Sequence, residues 1–108
     1  MADTTRNVLV TGGSRGLGLA IACKLAGAGY RVIAVARKKS KETADAIAQI
    51  ESGQGPGALH FTPFDLANIN EIPVLLRGLR KEFGPLFGLV NNAALGTDGA
   101  LALMHNAK

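Results

Sequence analysis

The sequence predicts an α/β protein built on a doubly wound parallel sheet, and three observations carry that reading. Apolar runs of strand length alternate with longer segments of helical periodicity. The first run, Val8-Leu9-Val10-Thr11, passes directly into a glycine-rich turn, Gly12-Gly13-Ser14-Arg15-Gly16-Leu17-Gly18. The composition, 47% hydrophobic and 19% charged over 108 residues, is that of one small globular domain spanning 1–108. Strands separated by helices pair in parallel through right-handed crossovers. The doubly wound arrangement then orders four strands 3-2-1-4, with helices on both faces.

Each element has a local reason. Asn7–Thr11 is the first strand, apolar through its centre as befits a strand covered on both sides. A helix runs from Gly16 to about Ala28, with Leu17, Ala20, Ile21, Lys24 and Leu25 as its stripe and Gly29 as its C-terminal cap. Arg31–Ala36 is the second strand. Ser40 caps a helix over Lys41–Glu51, whose thin apolar face is Ala44, Ile47, Ala48 and Ile50. The loop Ser52-Gly53-Gln54-Gly55-Pro56-Gly57 leads to a third strand, Leu59–Phe64. Asn68 or Asn70 caps a helix reaching Phe83. Asn70 is the better cap, because Pro73 then falls in the first turn, where no N–H is needed. Gly84-Pro85 stops that helix, and Leu86–Asn91 is the fourth strand. Two helices cover one face and one covers the other, so the fourth strand is left as an apolar edge. The sheet is therefore expected to be incomplete, the N-terminal portion of a longer protein.

The glycine turn carries the chemistry. A helix N-terminus offers N–H groups without intrahelical partners and a partial positive charge, and glycines let a diphosphate approach the backbone. Gly12 supplies the tight turn, Gly16 the close approach and Gly18 the close packing of helix on strand. In full, Thr11-Gly12-Gly13-Ser14-Arg15-Gly16-Leu17-Gly18 resembles the T-G-x-x-x-G-x-G signature of the short-chain dehydrogenase/reductase family. Asp65 after the third strand and Asn91-Asn92-Ala93-Ala94 after the fourth fall where that family places its next two motifs. The resemblance runs from Asn7 to about Met104. It implies a Rossmann-type sheet, a nicotinamide dinucleotide and hydride transfer to or from a carbonyl or hydroxyl substrate. It also implies roles. Thr11, Gly12, Ser14, Arg15, Gly16, Leu17 and Gly18 cradle the cofactor. Asp65 and the Leu66 backbone meet the adenine, while Asn91, Asn92 and Ala93 flank the ribose. Ala94 stands where the family has glycine. Gly96-Thr97-Asp98-Gly99-Ala100-Leu101 resembles the corresponding loop of bacterial 3-oxoacyl-carrier-protein reductases, implying an acyl thioester substrate; separately, the intact protein is expected to be a homo-oligomer.

The residues themselves favour NADP(H) over NAD(H). A dinucleotide site commonly presents an acid some twenty residues beyond its glycines to grip the NAD ribose. Between Leu19 and Lys41 there is no Asp or Glu, and Arg37-Lys38-Lys39 follow the end of the second strand. A guanidinium at Arg37, with Arg15 in the turn, suits the extra phosphate of NADP.

Other classes fare less well. Family catalysis uses a serine and a Tyr-x-x-x-Lys pair; the single tyrosine, Tyr30, has Ala34 four residues on, so it is expected to be structural and no catalytic residue is assigned. A cofactor-binding module or remnant without activity is the alternative. Gly12-Gly13-Ser14-Arg15-Gly16 also matches a hydrolase nucleophile elbow, but His60 lies within a strand, His105 in the tail, and the elbow leaves Gly18 unexplained. A nucleotide triphosphatase loop needs Lys after its last glycine, where Leu19 stands. The net charge is +4, with Arg31, Arg37, Lys38, Lys39 and Lys41 reading as one basic cluster after the second strand. No aromatics are interleaved with it, so no nucleic-acid partner is expected. Cys23 is alone, excluding a disulfide framework or paired-cysteine zinc site, and reads as helix filler. No run approaches the about 20 apolar residues of a membrane span, and the first residues lack a signal-peptide core, so a cytoplasmic protein is expected.

Overall fold

The computed structural model describes residues 5–53 and 55–92. Four strands, β1 (Asn7–Thr11), β2 (Arg31–Ala36), β3 (Ala58–Pro63) and β4 (Leu86–Asn91), form one sheet in the order β3-β2-β1-β4. All three pairings are parallel. The connecting helices are α1 (Gly16–Gly27), α2 (Lys41–Ser52) and α3 (Ile72–Phe83), the last preceded by a 3-10 turn at Ile69–Glu71.

Strand β1 and the centre of β2 are buried throughout because helices cover both faces. Val8, Val10, Val32, Ala34 and Leu59 point to one face, where Ala22 and Ala26 of α1 pack with Ala46, Ile47 and Ile50 of α2. Leu9, Ile33 and Val35 point to the other, against Leu75, Leu76 and Leu79 of α3. Ile33, Val10, Val32 and Val35 lose essentially all contact with water, each worth about 1.5–3 kcal/mol. At β4 the burial alternates and Phe87 and Leu89 remain exposed, as expected of a strand paired on one side only.

Four expectations shift. In α1 the buried residues are Gly18, Ala22 and Ala26, with Leu19 and Cys23 partly covered, whereas Leu17, Ala20 and Lys24 are exposed. Small side chains face the sheet because the helix lies close to it; of the expected stripe, Ile21 is half-buried and Leu25 packs against the core from the side. In α2 the inner side is Thr43, Ala46, Ile47 and Ile50, leaving Ala44 and Ala48 in solvent. Asn70 does not cap α3 but sits inside the 3-10 turn, and neither Asn68 nor Glu71 gives a side-chain cap. Successive tight turns take over that role: Asn68 N–H donates to the Asp65 carbonyl and Glu71 N–H to that of Asn68, each at 2.9 Å. Pro73 does lie in the first turn of α3. β3 begins and ends one residue earlier than expected, at Ala58 and Pro63.

Helix α1 closes as a Schellman motif. Ala28 is the cap, Gly29 turns with φ 105°, and the N–H groups of Gly29 and Tyr30 reach the carbonyls of Ala26 (3.0 Å) and Leu25 (3.1 Å). At the amino ends of the strands, buried Asn7 donates through Nδ2 to the carbonyls of Phe83 (2.9 Å) and Pro85 (3.0 Å). Arg31 Nη1 in turn donates to Asn7 Oδ1 (3.3 Å) and to the Phe83 carbonyl (3.2 Å). Arg31 thus belongs to this lower lock and not to the basic cluster. The cluster reading fails because the sheet separates residues 31 and 37 by the length of β2.

Candidate functional site

The chain winds from β1 outward to β3 and returns to the other side of β1 as β4. The carboxyl ends of β1 and β4 therefore flank the point where the strand order reverses, which is where open α/β sheets place their ligands. Here the glycine turn leaves β1 and Asn91-Asn92 leave β4.

The turn hangs from β2, since the Val35 carbonyl accepts from Gly12 N–H at 2.8 Å. Gly12 and Gly16 have φ of 64° and 60°, the left-handed region that side chains resist. Gly18 is close-packed: a Cβ there would stand 2.0 Å from the Gly12 carbonyl oxygen and 2.6 Å from Asn92 Nδ2. Arg15 occupies the cap position of α1 in extended conformation without a side-chain cap, and the first turn holds no acidic residue. The N-terminal donors and partial positive charge of α1 are thus uncompensated by its own side chains. Arg15, Gly16 and Leu17 are exposed there, Leu17 at 69%.

Side chains fasten β4 to this turn. Thr11 Oγ1 donates to Asn91 Oδ1 at 3.0 Å and accepts from the Asn92 N–H at 2.9 Å. Asn92 Nδ2 donates to the Gly12 carbonyl at 3.4 Å. Ser14 is held from α2, its carbonyl accepting from Ser40 Oγ and from Thr43 Oγ1, the latter at 2.5 Å.

The structure brings Thr11, Gly12, Gly18, Asn91 and Asn92 into one interlocked group, with Ser14, Arg15, Gly16 and Leu17 on its rim. Arg37 lies fully outside, in the exposed bend that ends β2 together with Lys38 and Lys39. Asp65 and Leu66 follow β3 on the same carboxyl side, half-buried. Asp65 Oδ1 accepts from Ala67 N–H at 2.9 Å, a local turn contact. Ala93, Ala94, residues 96–101 and His105 lie outside the described residues. Tyr30 stacks on Phe87 with centroids 6.1 Å apart, and the Arg6 guanidinium sits 4.5 Å over the Phe87 ring, a structural cluster at the opposite end. His60 packs on Phe83 at 4.9 Å. Burial raises the Cys23 thiol pKa above its ordinary value, which keeps it protonated and suits a filler role. Among the described residues no group of His, Cys, Asp and Glu can hold a metal, and no helix is long and apolar enough to cross a membrane.

The sequence reading did not find Thr43, fully buried beneath the turn. The spacing Ser40-x-x-Thr43 was visible, but its target, Ser14, is 26 and 29 residues away. Gly13 was likewise missed as a packing residue, although its Cβ would lie 2.9 Å from that of Ala34.

Sheet order, crossovers and turn define a doubly wound, Rossmann-like α/β protein. Comparison with known proteins makes the class specific. Residues 6–108 match the short chain dehydrogenase family. A 3-oxoacyl-[acyl-carrier-protein] reductase, FabG, of Staphylococcus aureus (strain Mu50 / ATCC 700699) is 37% identical over 100 residues, covering 93% of this chain and 40% of the relative. A metagenomic short-chain oxidoreductase solved in complex with NADP superposes with a TM-score of 0.72 at 32% identity, over 82% of this chain and 39% of that one. A 3-oxoacyl-[acyl-carrier protein] reductase from Brucella melitensis, solved in complex with NAD, also gives 0.72, at 31% identity over 86% and 35%. The chain belongs to the short-chain dehydrogenase family. It spans about 40% of the length of the FabG relative.

Proposed function

We propose that residues 1–108 form the NADP(H)-holding part of an oxidoreductase that moves a hydride between the cofactor and a carbonyl or hydroxyl substrate, with 3-oxoacyl thioesters as the substrate class. The observation that carries this reading is the glycine turn at the strand-order reversal. There a Cβ at Gly18 would invade the Gly12 backbone, and α1 has neither a capping side chain nor a first-turn acid. Such a cradle fits a diphosphate, the feature common to both coenzymes. The nicotinamide group, when bound, supplies or takes the hydride. This chain's residues bind and orient it: the first-turn N–H groups of α1 at the diphosphate, Asp65 and Leu66 at the adenine, Asn91, Asn92 and Ala93 beside the ribose. Arg15 and Arg37 engage the 2′-phosphate. The FabG relative, a 3-oxoacyl-[acyl-carrier-protein] reductase by name, supports the substrate class. The proposal extends to a cytoplasmic protein without nucleic-acid or membrane partners, the intact protein being a homo-oligomer.

NADP(H) is preferred over NAD(H) because Arg37-Lys38-Lys39 occupies the place of an NAD-gripping acid. A charge-assisted hydrogen bond is worth about 1.5–3 kcal/mol, so Arg37→Asp should raise the NADPH dissociation constant by at least about tenfold and leave that of NADH within about threefold. Cofactor fluorescence titration checks this, and equal losses for both coenzymes refute the preference. The structural setting of the single tyrosine favours a second reading, in which this chain alone binds NADP(H) without turnover. A carbonyl-reduction assay on titrated material separates the two.

A further inference from the structure

We propose that Ser40 and Thr43 are positioning residues that fix the basic bend Arg37–Lys39 relative to the diphosphate turn, and so set the discrimination between phosphorylated and unphosphorylated adenosine ribose. This inference rests on the cofactor reading above. Its basis is a proton count. The Ser14 carbonyl accepts from both hydroxyls, Ser40 Oγ and Thr43 Oγ1. Each hydroxyl has one proton, so both are committed to one oxygen, and both lone pairs of that oxygen are used. The two hydroxyl oxygens lie 2.9 Å apart without a further proton to share, and Ser40 Oγ still accepts the Thr43 N–H at 2.9 Å as the cap of α2.

Thr43 is a polar residue on an otherwise apolar side of α2. It is fully buried on the inner side of α2, where Ala46, Ile47 and Ile50 are apolar. Its hydroxyl lies 2.9 Å from Ser40 Oγ and also reaches across to the carbonyl of a turn 29 residues earlier. The clasp acts on both proposed phosphate contacts at once. Arg15 is the next residue after Ser14, and in a trans peptide its N–H points opposite to the clasped carbonyl, away from α2. Arg37 is three residues before Ser40, on the same short bend. Releasing the clasp leaves each arginine attached to its own element while removing the bonds that hold the elements in register. NADH, which lacks the 2′-phosphate, does not depend on that register.

Thr43→Val removes one hydroxyl at constant shape. The NADPH dissociation constant should rise about five- to tenfold, with that of NADH changed by less than about twofold, and Thr43→Ser should restore the original ratio. Ser40→Gly, which keeps most of the capping preference of its position, should move the ratio in the same direction and serves as the arm to read if Thr43→Val does not fold. Thermal unfolding without ligand establishes which variants are folded. An unchanged NADPH-to-NADH ratio in a folded Thr43→Val or Ser40→Gly protein overturns the inference while leaving the cofactor reading intact. Failure of the unaltered chain to bind either coenzyme overturns the cofactor reading itself, and this inference with it.

Discussion

Gly16 and Gly18 belong to one turn, yet a methyl group would act on them through different physics. At Gly16 nothing lies within 4 Å of an added Cβ, so only the left-handed backbone, φ 60°, opposes it. Gly16→Ala should cost about 1 kcal/mol. At Gly18 a Cβ would overlap the Gly12 carbonyl oxygen at 2.0 Å, and backbone cannot rotate aside as a side chain can. Gly18→Ala should cost about 3 kcal/mol and abolish coenzyme binding. Thermal unfolding alongside NADPH titration distinguishes the two, and similar losses at both positions contradict the close-packing account. The sequence already assigns Gly18 to close packing, whereas the left-handed dihedral angle that Gly16 supplies is visible only in the structure. Asp65 is a parallel case. Its strand-end position is legible, whereas the 2.9 Å contact to Ala67 N–H that shapes the local turn is not.

Between elements, most fastening comes from polar side chains that close a helix end or strand end. Asn7 is 5% exposed and holds the carbonyls of Phe83 and Pro85, joining β1 to the α3–β4 junction. Asn7→Ala leaves those carbonyls without their amide donor and removes one acceptor from Arg31. Such a loss should destabilise the chain by about 2 kcal/mol, read as a lower urea midpoint with unchanged slope. β1, β2 and β4 were legible to the residue, because the strands of this parallel sheet are short, largely apolar runs bounded by Gly, Pro or charge. Helix phase was not. The α1 sequence Gly-Leu-Gly-Leu-Ala-Ile-Ala-Cys is apolar all round, and side-chain size misleads when Gly18, Ala22 and Ala26 set the distance to the sheet. The clasp of Ser40 and Thr43 on Ser14 was equally hidden, since local spacing carries no signal for a partner across the fold.

For the whole molecule, the sheet is covered unevenly. Two helices lie over one face and one over the other, and among the described residues β4 pairs only with β1. Phe87 and Leu89 are 57% and 60% exposed along that free edge. An apolar edge of this kind recruits further strands, so the isolated chain should associate as concentration rises. Leu89→Lys should suppress that association, seen by sedimentation velocity, while changing stability by no more than about 0.5 kcal/mol. Persistence of association in the variant argues against the β4 edge as its source. The opposite ends of the strands also differ in kind. At the amino ends Asn7 and Arg31 spend hydrogen bonds on the scaffold itself; at the carboxyl ends Arg15 and Arg37 are exposed. Under the proposed cofactor reading, substitutions at residues 37–39 should retune which coenzyme is welcomed without eroding foldedness, because the anchoring that makes the architecture durable is lodged a full strand-length away.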